Sequence, residues 1–364
     1  MRVGAGSRAI PRWPSVAWTE ARRVSGVGML AFRLVVVACQ AATVWITWPL
    51  WQVHDAPPML PALPLPAVDL GGFLLGSLLF VLMAPVPGLT LQTLLLLYAV
   101  LIDQTRLQPE IVSLLFLQWG TLSSPTAQAF ARVHLLTLWL FAGFHKLLSP
   151  VFLTAIGPAL VTGLPLGMPP WLVAHGGYLI ACTELATGLL AVPVRTRRVA
   201  AVVACGLHLG ILLDLSPLGL NTNDAVWPWN VALAVAGFAL IAPWQESLWA
   251  SLRRCPRVAR PLLVGLVVAP LGFYVGLTDA YLAHNLYSAN VAEAVITCPD
   301  CKPYQLATVT MEAFHVPMPP EHRLFEQYFG LTCRPGDQLT IADSRWWFRA
   351  HGQQLRRLDC PTGQ

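Results

Sequence analysis

Apolar positions come in long unbroken runs over most of the chain, and the runs stop near residue 278. A hydrocarbon core takes roughly 20 apolar residues to cross as a helix. Reading for such runs predicts nine membrane spans, near 26–50, 69–86, 88–102, 111–123, 129–148, 172–194, 199–216, 227–244 and 261–278. The fourth is short, so it is expected to be tilted or re-entrant. After 278 the pattern changes. "EAVIT" and "YQLATVTMEA" alternate like strands, "MPPEHRLFEQYF" reads as a short helix opened by proline, and "GDQLTIADSRWWFRAHGQQLRRL" as a turn and strands. The expected fold is an all-α polytopic membrane helical bundle of about nine transmembrane helices, residues 26–278, with a small α+β domain over 279–364. A basic arm, residues 1–25, precedes the bundle; the apolar stretch after it is too long for a signal-peptide core, and no small-residue cleavage site follows. The Pro-rich stretch 54–70 reads as an extended connector.

Composition agrees with a membrane chain: 55% of the residues are apolar and 11% are charged, against roughly 25% charged in an average soluble domain. Charge then sets the orientation. The net charge of +5 divides into +7 before Asp279 and −2 from there on. The three most basic segments are the N-terminal arm, "RTRR" at 195–198 and "SLRRCPRVAR" at 251–260. Nine spans put all three on the cytoplasmic side, as Lys/Arg bias requires; removing the fourth span breaks that agreement. The N-terminus is then cytoplasmic and the C-terminal domain extracytoplasmic. A compact chain without glycosylation sequons suits a bacterial inner membrane. Positive charge placed in short loops gives no reason to expect a nucleic-acid partner; membrane lipid is the expected one.

Cysteines follow the same division. Cys39, Cys182 and Cys205 fall within spans and Cys255 in a cytoplasmic loop, while Cys298, Cys301, Cys333 and Cys360 all lie in the external domain. Four cysteines in an oxidising compartment predict two disulfides, with three possible connectivities. A domain this small needs such staples, each contributing about 2–4 kcal/mol. Cys298 and Cys301 also form a C-x-x-C, but a thiol redox motif needs a helix starting at its first cysteine, and strands are expected on both sides. No metal is expected.

Ionisable residues inside a bilayer are rare and mark function by default. Here they are Arg33, Arg132, His134, His145, Lys146, His175, Glu184, His208 and Asp214. Each also has a plainer reading. Arg33, Arg132 and Lys146 lie near span ends and can snorkel to water. His175 opens a helix beside two glycines, His208 can be a core histidine bonded to a carbonyl, and Asp214 lies near an external end. Glu184 is harder to dismiss, because a bare carboxylate in mid-span is costly. On one helix His134 and His145 share a face, and Lys146 lies about 100° round from it.

The string "LFAGFHKLLSPVF", followed by "VAHGGYLIACTELATGLLAVPVRTRRVAAVVACGLHLGILL", resembles the core of the vitamin K-dependent gamma-carboxylase-like (HTTM) membrane family over roughly residues 99–215. In that family a lysine closing an "AG..KL" helix is the catalytic base. The resemblance implies that Lys146 takes that place, with His145, His175, Glu184 and His208 around it and Glu110 where the carboxylase has a histidine. It also implies carboxylation or epoxidation-type chemistry on a reduced vitamin K-type naphthoquinone, with a protein or peptide as a further substrate. The carboxylase's large external domain has no counterpart here. A lysine can act as a base only while neutral, and burial in low dielectric favours that form. Two other functions fit the sequence: a non-catalytic membrane scaffold that binds a lipid or partner, and a quinone-coupled thiol–disulfide oxidoreductase using Cys298 and Cys301.

Overall fold

The computed structural model describes residues 16–165 and 167–360, with side chains from Val27 onward. The first fifteen residues of the expected basic arm lie outside the described residues; from Val16 the chain is helical. The bundle comprises α1 (Val16–Ile46), α2 (Gly71–Met83), α3 (Pro85–Ile102), α4 (Pro109–Gly120), α5 (Pro125–Leu147), α6 (Gly157–Gly163), α7 (Pro170–Ala174), α8 (Gly176–Ala191), α9 (Arg197–Leu215), α10 (Trp227–Ala236), α11 (Leu248–Arg254) and α12 (Arg260–Val268). Five stretches are long and apolar enough to cross a membrane: Val27–Ile46, Pro85–Ile102, Pro125–Leu147, Val194–Leu215 and Asp224–Ile241. Gly71–Met83, Phe152–Gly163, Gly176–Ala191 and Arg260–Val275 are apolar but shorter. The fourth apolar run is a helix of 12 residues, about 18 Å long. Phe152–Gly163 was not expected as a helix. Pro150, Gly157 and Pro158 interrupt its apolar pattern, and it opens with a π-helical turn, Phe152–Ile156.

Prolines and caps set the helix starts. Ser124 accepts a hydrogen bond from the Ala127 N–H and is followed by Pro125, so α5 begins with a capped first turn. Glycines then set how closely helices approach. A Cβ at Gly143 of α5 would lie 2.6 Å from the Ala181 carbonyl of α8, and one at Gly188 of α8 would lie 2.7 Å from the Leu140 nitrogen of α5. A Cβ at Gly157 would lie 2.1 Å from the Cα of Gly177. Near-backbone contact of this kind is how helices pack when lipid removes most of the hydrophobic drive.

Several arginines of the bundle serve the backbone. Arg33 donates to the Thr121 hydroxyl and carbonyl, and Arg132 to the Leu240 carbonyl. Arg197, fully buried, donates to the carbonyls of Ala191, Val192, Trp244 and Glu246. Its guanidinium carbon also lies 3.7 Å from the Trp244 ring centroid. Residues read as snorkelling or orienting charges thus satisfy carbonyls that helix ends leave open.

The C-terminal domain has a four-stranded antiparallel sheet in the order β2 (Tyr304–Gln305), β1 (Ala292–Thr297), β3 (Gln338–Asp343), β4 (Leu355–Asp359). Helices α13 (Leu306–Phe314), α14 (His322–Thr332) and α15 (Trp346–Ala350) complete it. "YQLATVTMEA" was expected as a strand and forms one only at Tyr304–Gln305. Its remainder opens α13, because burying Leu306, Thr310 and Phe314 follows a spacing of four, which overrides the local β-branched preference. Ala292, Ala294 and Ile296 of β1 alternate inward against Leu324 and Phe325 of α14, and Leu60 of the Pro-rich stretch joins that core. Cys298 pairs with Cys301 and Cys333 with Cys360. The first pair sits in the β1–β2 connection, with no helix starting at Cys298.

Residues 279–289, expected in the external domain, turn back into the bundle. Ala280, Ala283, His284, Asn285, Leu286 and Ser288 are buried. Leu286 packs in one cluster with Leu135, Leu138 and Trp229, and His284 Nε2 lies 3.3 Å from the Thr137 hydroxyl. Three non-glycine residues of this wedge, His284, Tyr287 and Ala289, have φ of 60°, 55° and 53°. A left-handed backbone is costly for such residues, so surrounding contacts must hold it.

Candidate functional site

The close approach of α5 and α8 at Gly143 brings the side chains one turn further along into contact. Lys146 Nζ donates to Glu184 Oε2 at 2.8 Å and Oε1 at 3.0 Å. The two residues are 4% and 6% exposed, so neither is shared with bulk water to any extent. Phe152, at the start of the unexpected helix, lies with its ring centroid 5.6 Å from the same Nζ. Lys146 is one of only two lysines in the chain, beside 21 arginines. Arginine is effectively always protonated, so a lysine and not an arginine is the side chain suited to base chemistry at this position.

The pair forms part of the wall of a cavity of about 270 Å³. Leu138, Ile156, Leu160, Ile180 and Leu233 supply apolar wall, and His208, Asp214, Asn230, Trp229 and Tyr287 add polar groups. His208 is fixed by a chain of hydrogen bonds. Asn230 Nδ2 donates to the Val226 carbonyl, which leaves Asn230 Oδ1 to accept from His208 Nδ1 at 2.9 Å. Trp139 Nε1 donates to His208 Nε2 at 3.0 Å. Both ring nitrogens are therefore engaged in the neutral tautomer, and His208 has no free position for a second proton. Asp214 is buried with Oδ1 unpartnered. A carboxyl and a lysine–carboxylate pair in one small, mostly apolar cavity can hold a hydroxyl-bearing ring and take its proton.

The other expected site residues lie elsewhere. His145, one position before Lys146, projects from a different face of α5: its Nε2 donates to the Ala283 carbonyl at 2.9 Å, and its Nδ1 accepts from the Tyr274 hydroxyl at 2.6 Å. His175 is exposed at the end of α7, with Nδ1 2.8 Å from the Trp171 carbonyl. Gly176 and Gly177 of the same motif instead admit Gly157 and its neighbours, which is a packing role. Glu110 is buried in the first turn of α4 and lines a separate cavity of about 230 Å³ between the bundle and the C-terminal domain. Trp229, Leu286 and Tyr287 line both cavities. Thus Lys146, Glu184 and His208 are brought together; His145, His175 and Glu110 are not.

The sequence reading missed Trp139, Asn230, Trp229 and Tyr287. Asn230 lies inside an apolar run and carried the same mid-span signal as Glu184, though no charge drew attention to it. Tyr287 carried none, since its placement depends on the wedge. Among the described residues, no cluster of His, Cys, Asp and Glu is arranged to hold a metal ion. No family model, curated protein or solved structure matches this chain.

Proposed function

We propose that the chain is an integral-membrane enzyme in which Lys146 is a general base toward an ionisable hydroxyl on an apolar, lipid-soluble substrate, a reduced naphthoquinone of vitamin K type. The observation that carries this reading is the Lys146–Glu184 pair, dehydrated and set in the wall of an otherwise largely apolar cavity. Such a cavity suits a flat hydrocarbon ring with a polar edge: Leu138, Ile156 and Leu160 would meet the ring, and the pair would meet the hydroxyl.

Proton movement can be followed on this chain's own atoms. The ion pair becomes a neutral amine and a neutral carboxyl when one proton passes along the 2.8 Å hydrogen bond to Glu184. Excluding water favours that exchange, because separated charges are costly in a low-dielectric site. The Lys146 lone pair then accepts the hydroxyl proton, and the ammonium so formed stays beside the oxygen that lost it. His208, with both nitrogens engaged, shapes the wall and relays no proton.

The wider reading keeps nine spans, a cytoplasmic N-terminus, an extracytoplasmic C-terminal domain and the carboxylase-like family. Phe152–Gly163, about 18 Å long, is read as re-entrant, so it leaves the orientation unchanged. The test follows hydroquinone consumption under oxygen by purified protein in lipid. Lys146→Ala should abolish it and Glu184→Gln should slow it; unchanged turnover in Lys146→Ala removes the base assignment.

A further inference from the structure

The cavity beside Glu110 plays no part in the proton chemistry above, and its polar groups are left open. Glu110 is 2% exposed with Oε1 unpartnered, and Trp229 is 4% exposed with Nε1 unpartnered. Asn223 Oδ1 is also buried without a partner, while its Nδ2 donates to the Tyr287 hydroxyl. All three residues line this cavity. Residues carrying two orphan acceptors and one orphan donor thus line a space of about 230 Å³. A buried polar atom without a partner costs about 1–3 kcal/mol, so three around one space are explained most simply by a ligand that pairs with them.

Charge narrows the ligand. Glu110 and Glu293 are both lining residues, and no lysine, arginine or histidine is among those described there. Glu110 sits in the first turn of α4, a helix of 12 residues, so a cation bound there would meet a carboxyl buried away from water. Trp229, Tyr281, Tyr287 and Phe325 add aromatic wall. A carboxylate framed by aromatic rings is the usual reception for an organic ammonium ion. The orphan Trp229 N–H asks in addition for an acceptor close to the ammonium nitrogen.

We propose that this cavity binds a small ammonium group carrying a neighbouring oxygen, with Glu110 and Asn223 accepting its N–H hydrogens and Trp229 donating to its oxygen. A buried carboxyl, aromatic rings and an indole N–H around one small space suit a free amino alcohol or the ammonium end of a phospholipid headgroup. This site stands whether or not Lys146 is a base.

Ethanolamine is the probe, titrated calorimetrically into the full chain in nanodiscs of phosphatidylglycerol, which has no amine. Saturable binding is expected, with ethylene glycol giving no heat and Glu110→Gln weakening the affinity by about tenfold or more. A second arm places phosphatidylethanolamine in the disc and follows thermal unfolding. If the occupant is a lipid headgroup, this lipid raises the midpoint of the wild type and not of Glu110→Gln, while free ethanolamine does nothing. Should Glu110→Gln fail to fold, Asn223→Ala replaces it in both arms. The proposal is overturned if neither compound acts on the wild type, if ethylene glycol binds as well as ethanolamine, or if the folded variants respond as the wild type does.

Discussion

The two cavities share a wall at Trp229, Leu286 and Tyr287 and differ in how their buried glutamates are satisfied. Around the first, Glu184 has both oxygens on Lys146 and His208 has both nitrogens engaged, while Asp214 keeps Oδ1 open. Around the second, Glu110 Oε1, Asn223 Oδ1 and Trp229 Nε1 have no partner. A paired acid is costly to disturb from either side, because removing one member strands the other. An unpaired acid already bears its desolvation cost, so removing it relieves the fold. The difference between Glu184 and Glu110 is that between an acid held by a partner and one without.

The largest effect is expected for Glu184→Ala. It leaves the Lys146 ammonium buried and uncompensated and should destabilise the chain by about 3–5 kcal/mol, whereas replacing both partners by well-packed apolar residues should be near neutral. Denaturant unfolding in mild detergent measures both. Glu110→Leu should go the other way, stabilising the ligand-free chain by up to about 1–3 kcal/mol as the orphan oxygen disappears. A loss comparable to that of Glu184→Ala would break the contrast between the cavities.

A further effect concerns the wedge that divides them. Glu321 Oε1 accepts the N–H of Ala280 at 2.7 Å and so ties the start of the wedge to the C-terminal domain. Burial raises the Glu321 carboxyl to about 7, with Asp279 adding to the rise and the Ala280 bond, Arg345 and Arg323 opposing it. A carboxyl lifted above its unfolded value of about 4.3 stabilises most at low pH, and that contribution declines as pH rises through its folded value. Thermal stability should therefore fall between about pH 5 and about pH 8, and Glu321→Gln should flatten that slope. Asp343 adds nothing in this window. Burial pushes it up, but hydrogen bonds from His322 and Arg345 prevail and hold it at about 2, so its stabilising effect is lost only in strong acid.

Much of this was legible in the residues themselves. Each expected apolar run holds helix, and five of the stretches are long and apolar enough to cross a membrane. Lys146, Glu184 and His208 were singled out for being polar where water is absent, and they share one cavity. What escaped the reading depends on contacts remote in sequence. The helix Phe152–Gly163 exists because Gly177 admits Gly157, a fit that neither segment declares alone. Tyr287 and Leu286 reach the cavities only because the segment after the last span folds back, held by left-handed residues that no periodicity marks. His145 and Lys146 are adjacent in sequence, yet the turn of the helix gives one to Tyr274 and the other to Glu184.

The central claim is that Lys146 lies dehydrated against Glu184, and the chain's composition allows a direct reading of it. The second lysine, Lys302, is exposed in the C-terminal domain and serves as an internal standard. Acylation of the native protein in lipid with a water-soluble amine reagent, followed by mass-spectrometric mapping, compares the two side chains in one sample. The account expects Lys302 to be modified and Lys146 to stay unmodified until the protein is unfolded. Modification of Lys146 as fast as Lys302 would place its nitrogen in water and contradict the account.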